Sequence, residues 1–268
     1  MRIGIVNYVN ARPLAWGLLH GARAGAFETV LLPPARVADE LAAGTIDCGL
    51  VPSIELARIP DLLVVPGLAI AANHEVRSVL LVSRRPVAEI RTVALDEASR
   101  TSAALVRILL DERYGLRPTF RSQPADVETM LATSDAALVI GDPALAVERE
   151  RHVVLDLAGE WLEWTGLPFV FALWAVRRAA ARPDLVTILH ASFESGMAAL
   201  PEIVAAAAAE TRLPEAVLLD YYTRNLRFRM GPAEQAGLAE FLRRAATHGL
   251  AEASGSLAYL ASSLSSVR

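Results

Sequence analysis

Apolar and polar positions alternate with two different periods along the first third of the chain. Residues 3–6 form a short apolar run that reads as a buried strand. Pro13 then opens a short helix that Gly21 closes, since proline suits the first helical position and glycine the C-terminal cap. The unit recurs, with a strand at 27–32, an amphipathic helix at 34–43 followed by Gly44, a third strand at 46–51 and Pro52 at another helix start. Short loops between alternating strands and helices predict a parallel sheet covered by helices.

Two long apolar segments, 62–72 and 76–83, read as strands. After Pro86 the alternation restarts, with strands at 92–95, 118–121 and 136–140 and helices at 101–113, capped by Gly115, and 125–132. Residues 153–155 add a strand, and 167–176 form another extended apolar run. From Pro183 onward the pattern is helical: an Ala-rich stretch to Glu210 broken at Pro201, then 214–226 and 232–248, with a frayed Ser-rich end after Ser262. No Gly, Ser and Pro linker separates two lobes, so the runs 79–82 and 169–175 read as strands that carry the chain across and back. The expected architecture is α/β with two lobes. Residues 85–171 form a lobe inserted within one made of 1–84 and 172–268, with the ligand cleft between them and a C-terminal helical region.

Composition narrows the chemistry more than the fold. The 268 residues are 53% hydrophobic, enough for a large core and incompatible with disorder. Twenty-six basic against 30 acidic side chains give a net charge of -4 with no basic run, which argues against a nucleic-acid partner. The longest apolar stretch, 166–176, falls short of the roughly 20 residues of a spanning helix. The apolar start is cut at Asn7, too early for a secretory core. These features predict a cytoplasmic protein without a membrane partner. Every basic residue is arginine, and the absence of lysine excludes Schiff-base chemistry, covalent pyridoxal phosphate and a P-loop. Cys48, the single cysteine, reads as a small buried residue and rules out an intrachain disulfide. The histidines lack metal-ligand spacing, Gly17, Gly21 and Gly25 are no dinucleotide fingerprint, and Ser195-Gly196 lacks the leading glycine of a nucleophile elbow. No metal or other cofactor is expected.

In open α/β sheets ligands bind beyond the carboxyl ends of the strands, where helix starts offer free N–H groups. The polar residues predicted there select the candidates. Ser99, Thr101 and Ser102 at a helix start either cap that helix or cradle a carboxylate or phosphate. Asp142 before Pro143, with Gly141 ahead of it, caps a helix or meets a ligand. Asn10 lies in a loop, as a turn former or as an amide for a substrate hydroxyl or a developing oxyanion. Ser53 opens a helix or contacts the ligand, and Ser78 interrupts an apolar strand, bonding the backbone or facing a cleft. Trp161, Trp164, Phe169 and Phe171 either line the cleft near the return crossing or pack in the core.

These stretches together resemble the chorismate dehydratase family of the futalosine route to menaquinone. The resemblance runs in order through nearly the whole chain: Asn7-Tyr8-Val9-Asn10-Ala11-Arg12-Pro13-Leu14, Leu50-Val51-Pro52-Ser53-Ile54-Glu55, Val76-Arg77-Ser78-Val79-Leu80-Leu81-Val82-Ser83, Val93-Ala94-Leu95-Asp96 with Ser99-Arg100-Thr101-Ser102, Ile140-Gly141-Asp142-Pro143-Ala144-Leu145, and residues 161–171. One departure is Asn7, where a small residue such as serine is expected before the tyrosine. The resemblance implies a type 2 periplasmic-binding-protein fold turned to catalysis. It implies loss of water from chorismate to give 3-enolpyruvylbenzoate, without a metal or redox cofactor. By position Asn10 matches the family's active-site asparagine, and 99–102 its substrate-anion cradle. Chorismate is the small-molecule partner this implies, and a homodimer is compatible with apolar faces on the C-terminal helices. Two alternatives share the architecture: the 1,4-dihydroxy-6-naphthoate synthase of the same route, and a non-catalytic binding protein for a small carboxylate.

Overall fold

Residues 1–21, 24–253 and 257–261 are described by the computed structural model, and their strands sort into two sheets. In the first, β1 (Arg2–Val6) lies between β2 (Glu28–Leu32) and β3 (Cys48–Pro52), parallel to both. The helices α1 (Arg12–Leu19) and α2 (Pro34–Ala43) make the two crossovers. Every residue of β3 is buried, while β2, at the sheet edge, is half exposed, which is why the one reads as a continuous apolar run and the other does not. Cys48 is one of these β3 residues and is fully buried among apolar side chains. The sheet is extended on the other side of β3 by antiparallel strands: β10 (Phe169–Arg177), β4 (Leu62–Ala72) and the three-residue β11 (Arg227–Arg229).

The second sheet repeats this plan. In it β6 (Thr92–Asp96) is parallel to β7 (Thr119–Gln123) on one side and to β8 (Ala136–Ile140) on the other, joined through α3 (Thr101–Ile108) and α4 (Val127–Thr133). Antiparallel β5 (Val79–Ser83) and β9 (Val153–Asp156) complete it. The pairing corrects the expected lobe limits. A division at 84/85 and 171/172 would leave β5 with the first lobe and the start of β10 with the second. Val79–Ser83 pairs instead with Ala136–Ile140, and Phe169 pairs with Ala72. The chain therefore crosses at residues 73–78 and returns at 166–168, and the apolar strands flanking those segments each stay within one sheet.

Three elements differ locally from the expectation. The helix expected over 101–113 is α-helical only to Ile108 and continues as a π-helical turn, Leu109–Arg113. The helix expected at Pro52 is the 3₁₀ turn Ser53–Ala57. A helix that the apolar pattern around 157–165 had hidden, α6 (Leu157–Thr165), follows β9, because Asp156 caps it by accepting from Ala158 N at 3.2 Å and Gly159 N at 3.3 Å. The same buried carboxylate accepts from Val76 N at 3.0 Å and Arg77 N at 2.6 Å, so the helix start also ties down the outward crossing. Trp161 of α6 is fully buried edge-on to Phe169 and Phe241.

After a one-turn helix α5 (Asp142–Leu145) within the second lobe, the remaining helices pack on the first: α7 (Asp184–Ala198), α8 (Leu200–Thr211), α9 (Glu215–Asp220) and α10 (Pro232–Thr247). Pro201 marks the break between α7 and α8 by occupying the first turn of the latter. The Ser-rich end expected to fray after Ser262 lies outside the described residues. Among the described residues no helix is long and apolar enough to cross a membrane.

Candidate active site

In both parallel units the chain leaves the central strand toward one neighbour and returns past it to the other, which opens a crevice at the carboxyl ends of β1 and β3 and again at those of β6 and β8. The two crevices share one cleft. Val6, Tyr8, Asn10 and Pro52 line it from the first lobe; Val79, Ala98 to Ser102, Ile140 and Gly141 line it from the second; Val76 and Ser78 line it from the crossing.

On the first-lobe side the chain turns through the 3₁₀ segment Val9–Ala11 directly into α1. That turn is held from two directions. Asp142 Oδ1 accepts from Val9 N at 3.1 Å, and the Tyr222 hydroxyl donates to Val9 O at 2.9 Å. Burial pushes the Asp142 carboxyl up to about 6, although the Val9 N–H and the Arg12 guanidinium draw it down. Within this turn Asn10 Oδ1 is buried with no hydrogen-bond partner. A buried carbonyl oxygen left in this state costs free energy unless a ligand satisfies it.

The second-lobe side is built more locally. Asp96 Oδ1 accepts from Ala98 N at 2.9 Å, and Ser99 N donates to Asp96 O at 2.9 Å, closing a tight turn at the end of β6. Arg100 is the N-cap residue of α3, and no side chain caps that helix. Ser99 is therefore not the cap; its Oγ is buried and unpartnered. Thr101 Oγ1 accepts from Ile54 N at 3.2 Å, linking the start of α3 to the first lobe. Arg100 reinforces the link by pairing with Asp39 and with the buried Glu55. Gly141 completes the wall with φ +66°, and a Cβ there would lie 2.6 Å from the Tyr8 ring, so the position demands glycine twice over.

Of the residues singled out in the sequence, Asn10, Ser78, Ser99, Thr101, Ser102 and Gly141 meet at this one cleft. Ser53 and Asp142 do not line it. Ser53 is fully buried and donates to Val170 O at 2.7 Å, and Asp142 braces the Asn10 turn from the opposite lobe. Among the four aromatics near the return crossing, Phe171 alone lines the cleft, while Trp161 and Phe169 belong to the core. Sequence reasoning left out Tyr8 and Arg100, although both stand inside the motifs it used. It also missed Tyr221, whose hydroxyl donates to Ser78 Oγ at 2.7 Å and for which no local signal existed.

Comparison with known proteins agrees with this geometry. Among solved structures, a protein from Archaeoglobus fulgidus matches with a TM-score of 0.75 at 14% identity, over 93% of this chain and 97% of that one. The periplasmic aliphatic sulphonate binding protein SsuA from Escherichia coli matches with a TM-score of 0.66 at 21% identity, over 94% of each chain. At these identities the likeness is one of fold: two α/β lobes of the periplasmic-binding-protein type. A chorismate dehydratase from Thermus thermophilus is 30% identical over 258 residues, covering 89% of this chain and 93% of that protein. The family model for menaquinone biosynthesis matches residues 1–247, from the first strand to the end of α10. Spanning both lobes and the helices packed on them, that match shows that the chain belongs to the menaquinone biosynthesis family.

Proposed function

We propose that this chain is a chorismate dehydratase, a hydro-lyase that converts chorismate to 3-enolpyruvylbenzoate and water in the cytoplasm. One observation carries the reading: the cleft sets an unpartnered acceptor, Asn10 Oδ1, on one lobe against an unpartnered hydroxyl, Ser99 Oγ, and an uncapped helix start on the other. A dianion with a ring hydroxyl matches that pattern. The start of α3 with Ser99 and Ser102 supplies donors for a carboxylate, and Asn10 Oδ1 accepts a hydrogen bond from the ring hydroxyl and orients it for departure.

The ionisable groups lining the cleft are Tyr8 and Arg100. Burial pushes the Tyr8 phenol up, helped by Asp96 and Asp142, and the guanidinium is held protonated by Asp39 and Glu55. Neither takes a proton at neutral pH, so the base is the substrate's own enolpyruvyl carboxylate. It removes the ring proton, the ring C–O bond breaks as the ring becomes aromatic, and the departing oxygen takes up that proton, leaving as water and restoring the carboxylate. Closure of the two lobes keeps bulk water from the charges that develop.

The test is incubation of the purified protein with chorismate. Enzyme-dependent appearance of a product lighter by one water, with the absorbance of a substituted benzoate, is expected. Chorismate bound but returned unchanged would favour a binding protein; chorismate neither bound nor changed would turn attention to the later naphthoate-forming step.

A further inference from the structure

Behind the cleft lies a buried phenol that none of the sequence motifs contains. Tyr221 opens the π-helical turn Tyr221–Asn225 after α9 and is fully buried. Its hydroxyl donates to Ser78 Oγ, 143 residues away in the chain, at 2.7 Å. On the first-lobe turn, Asn10 Oδ1 is buried without a partner. Burial drives the phenol's ionisation far up, so it keeps its proton and remains a donor at any physiological pH.

A serine hydroxyl has one proton and two lone pairs, and a carboxamide has a donor end and an acceptor end. Tyr221 occupies a lone pair of Ser78, and Ser78 Oγ donates to no protein group among the described residues. Its proton is left for the cleft that Ser78 lines. Asn10, which lines the same cleft, offers it an unpartnered Oδ1. One neutral hydroxyl thus leaves Ser78 a donor, while Asn10 Oδ1 remains an acceptor.

We infer that Tyr221 is a positioning residue of the dehydration, which sets Ser78 as a donor that acts with the acceptor Asn10 Oδ1 on the ring hydroxyl that departs. A hydroxyl fits such a pair because it donates and accepts at once. As its C–O bond breaks, the oxygen gathers negative charge and the Ser78 contact strengthens, so the arrangement favours the transition state over the bound substrate. The inference rests on the dehydratase reading, and turnover by the unaltered protein tests that reading separately.

The experiment is a double-mutant cycle on kcat and KM for chorismate with Tyr221→Phe, Ser78→Ala and the pair. Tyr221→Phe should lower kcat about tenfold with KM changed less than about threefold, the scale of one misdirected hydrogen bond. Added to Ser78→Ala, it should lower kcat by less than about threefold, because the group it acts through is already gone. A Tyr221→Phe protein with unaltered kcat, or an equal loss on both backgrounds, would overturn the assignment. Should Tyr221→Phe alone not fold, the pair, which strands neither hydroxyl, is compared with Ser78→Ala: kcat within about threefold supports the role, and a further tenfold loss overturns it.

Discussion

After β1 the first lobe presents a carbonyl oxygen to the cleft, and after β6 the second presents a hydroxyl and a helix start, although both units run strand, helix, strand, helix, strand around a central first strand. The support behind each differs as much as the chemistry. The second-lobe turn is closed by its own Asp96, two and three residues from the amides it engages. The first-lobe turn is held by Asp142 from the other lobe and by Tyr222 from the C-terminal helices. A donor site grows readily from a helix start, which carries free N–H groups by construction. An unsatisfied acceptor has no such source and must be held by packing from elsewhere. The half proposed to bind substrate is therefore braced locally, and the half proposed for turnover is held from the other lobe and the C-terminal helices.

That contrast breaks or sharpens at particular residues. The largest effect is expected for Asn10→Ala: steady-state kcat should fall by about 10²- to 10³-fold, the usual cost of removing a group that acts on the reacting centre. A variant within a few-fold of the unaltered rate would remove Asn10 from the chemistry. Next comes Gly141→Ala, which forces a side chain into a left-handed backbone position and 2.6 Å from the Tyr8 ring. It should destabilise the closed form by roughly 1–3 kcal/mol, seen as a lower Tm and a raised KM; an unchanged melting curve would mean that the Tyr8 and Gly141 walls do not meet. Ser102→Ala, on the donor side, should raise KM about tenfold and leave kcat within a few-fold. A loss confined to kcat would contradict the assignment of that lobe to binding.

The smallest effect concerns pH. Asp142 in the folded protein titrates near about 6, above its value of ~4 in an unfolded chain. The folded state therefore holds a proton that the unfolded state has released. The stability contributed by protonated Asp142 is present below about pH 4 and is lost as pH rises toward 6. Asp142→Asn keeps an acceptor for the Val9 N–H and cannot ionise. Its Tm should vary less between pH 4 and 6 than that of the unaltered protein and lie a few degrees higher at pH 7. Parallel curves for the two proteins would show that Asp142 is not the group titrating there.

How far the sequence could be read follows the same division between local and distant causes. The helix Pro34–Ala43 is legible to the residue because proline opens it and Gly44, at φ +75°, closes it. Leu62–Ala72 and Ala136–Ile140 are legible as continuous apolar runs buried on both faces. The α6 helix is marked at its two ends by Asp156 and Gly166, but its aromatic residues read equally well as a cleft lining. At the site, Ser99 to Ser102 stand out as hydroxyls at a helix start, and Asn10 as an amide in a loop. Nothing near Val9 announces Asp142 or Tyr222, which lie 133 and 213 residues away. Contacts across such separations follow from the fold as a whole, and periodicity has no means of recording them.

The central claim, that the first lobe's acceptor serves turnover and the second lobe's donors serve binding, is tested most directly by titrating chorismate into the Asn10→Ala protein by calorimetry. The predicted result is a Kd within about threefold of the KM of the unaltered enzyme, with the ligand recovered unchanged, since the donors of α3 are intact. Loss of binding together with turnover would contradict it, and would make the Asn10 turn part of the substrate's grip.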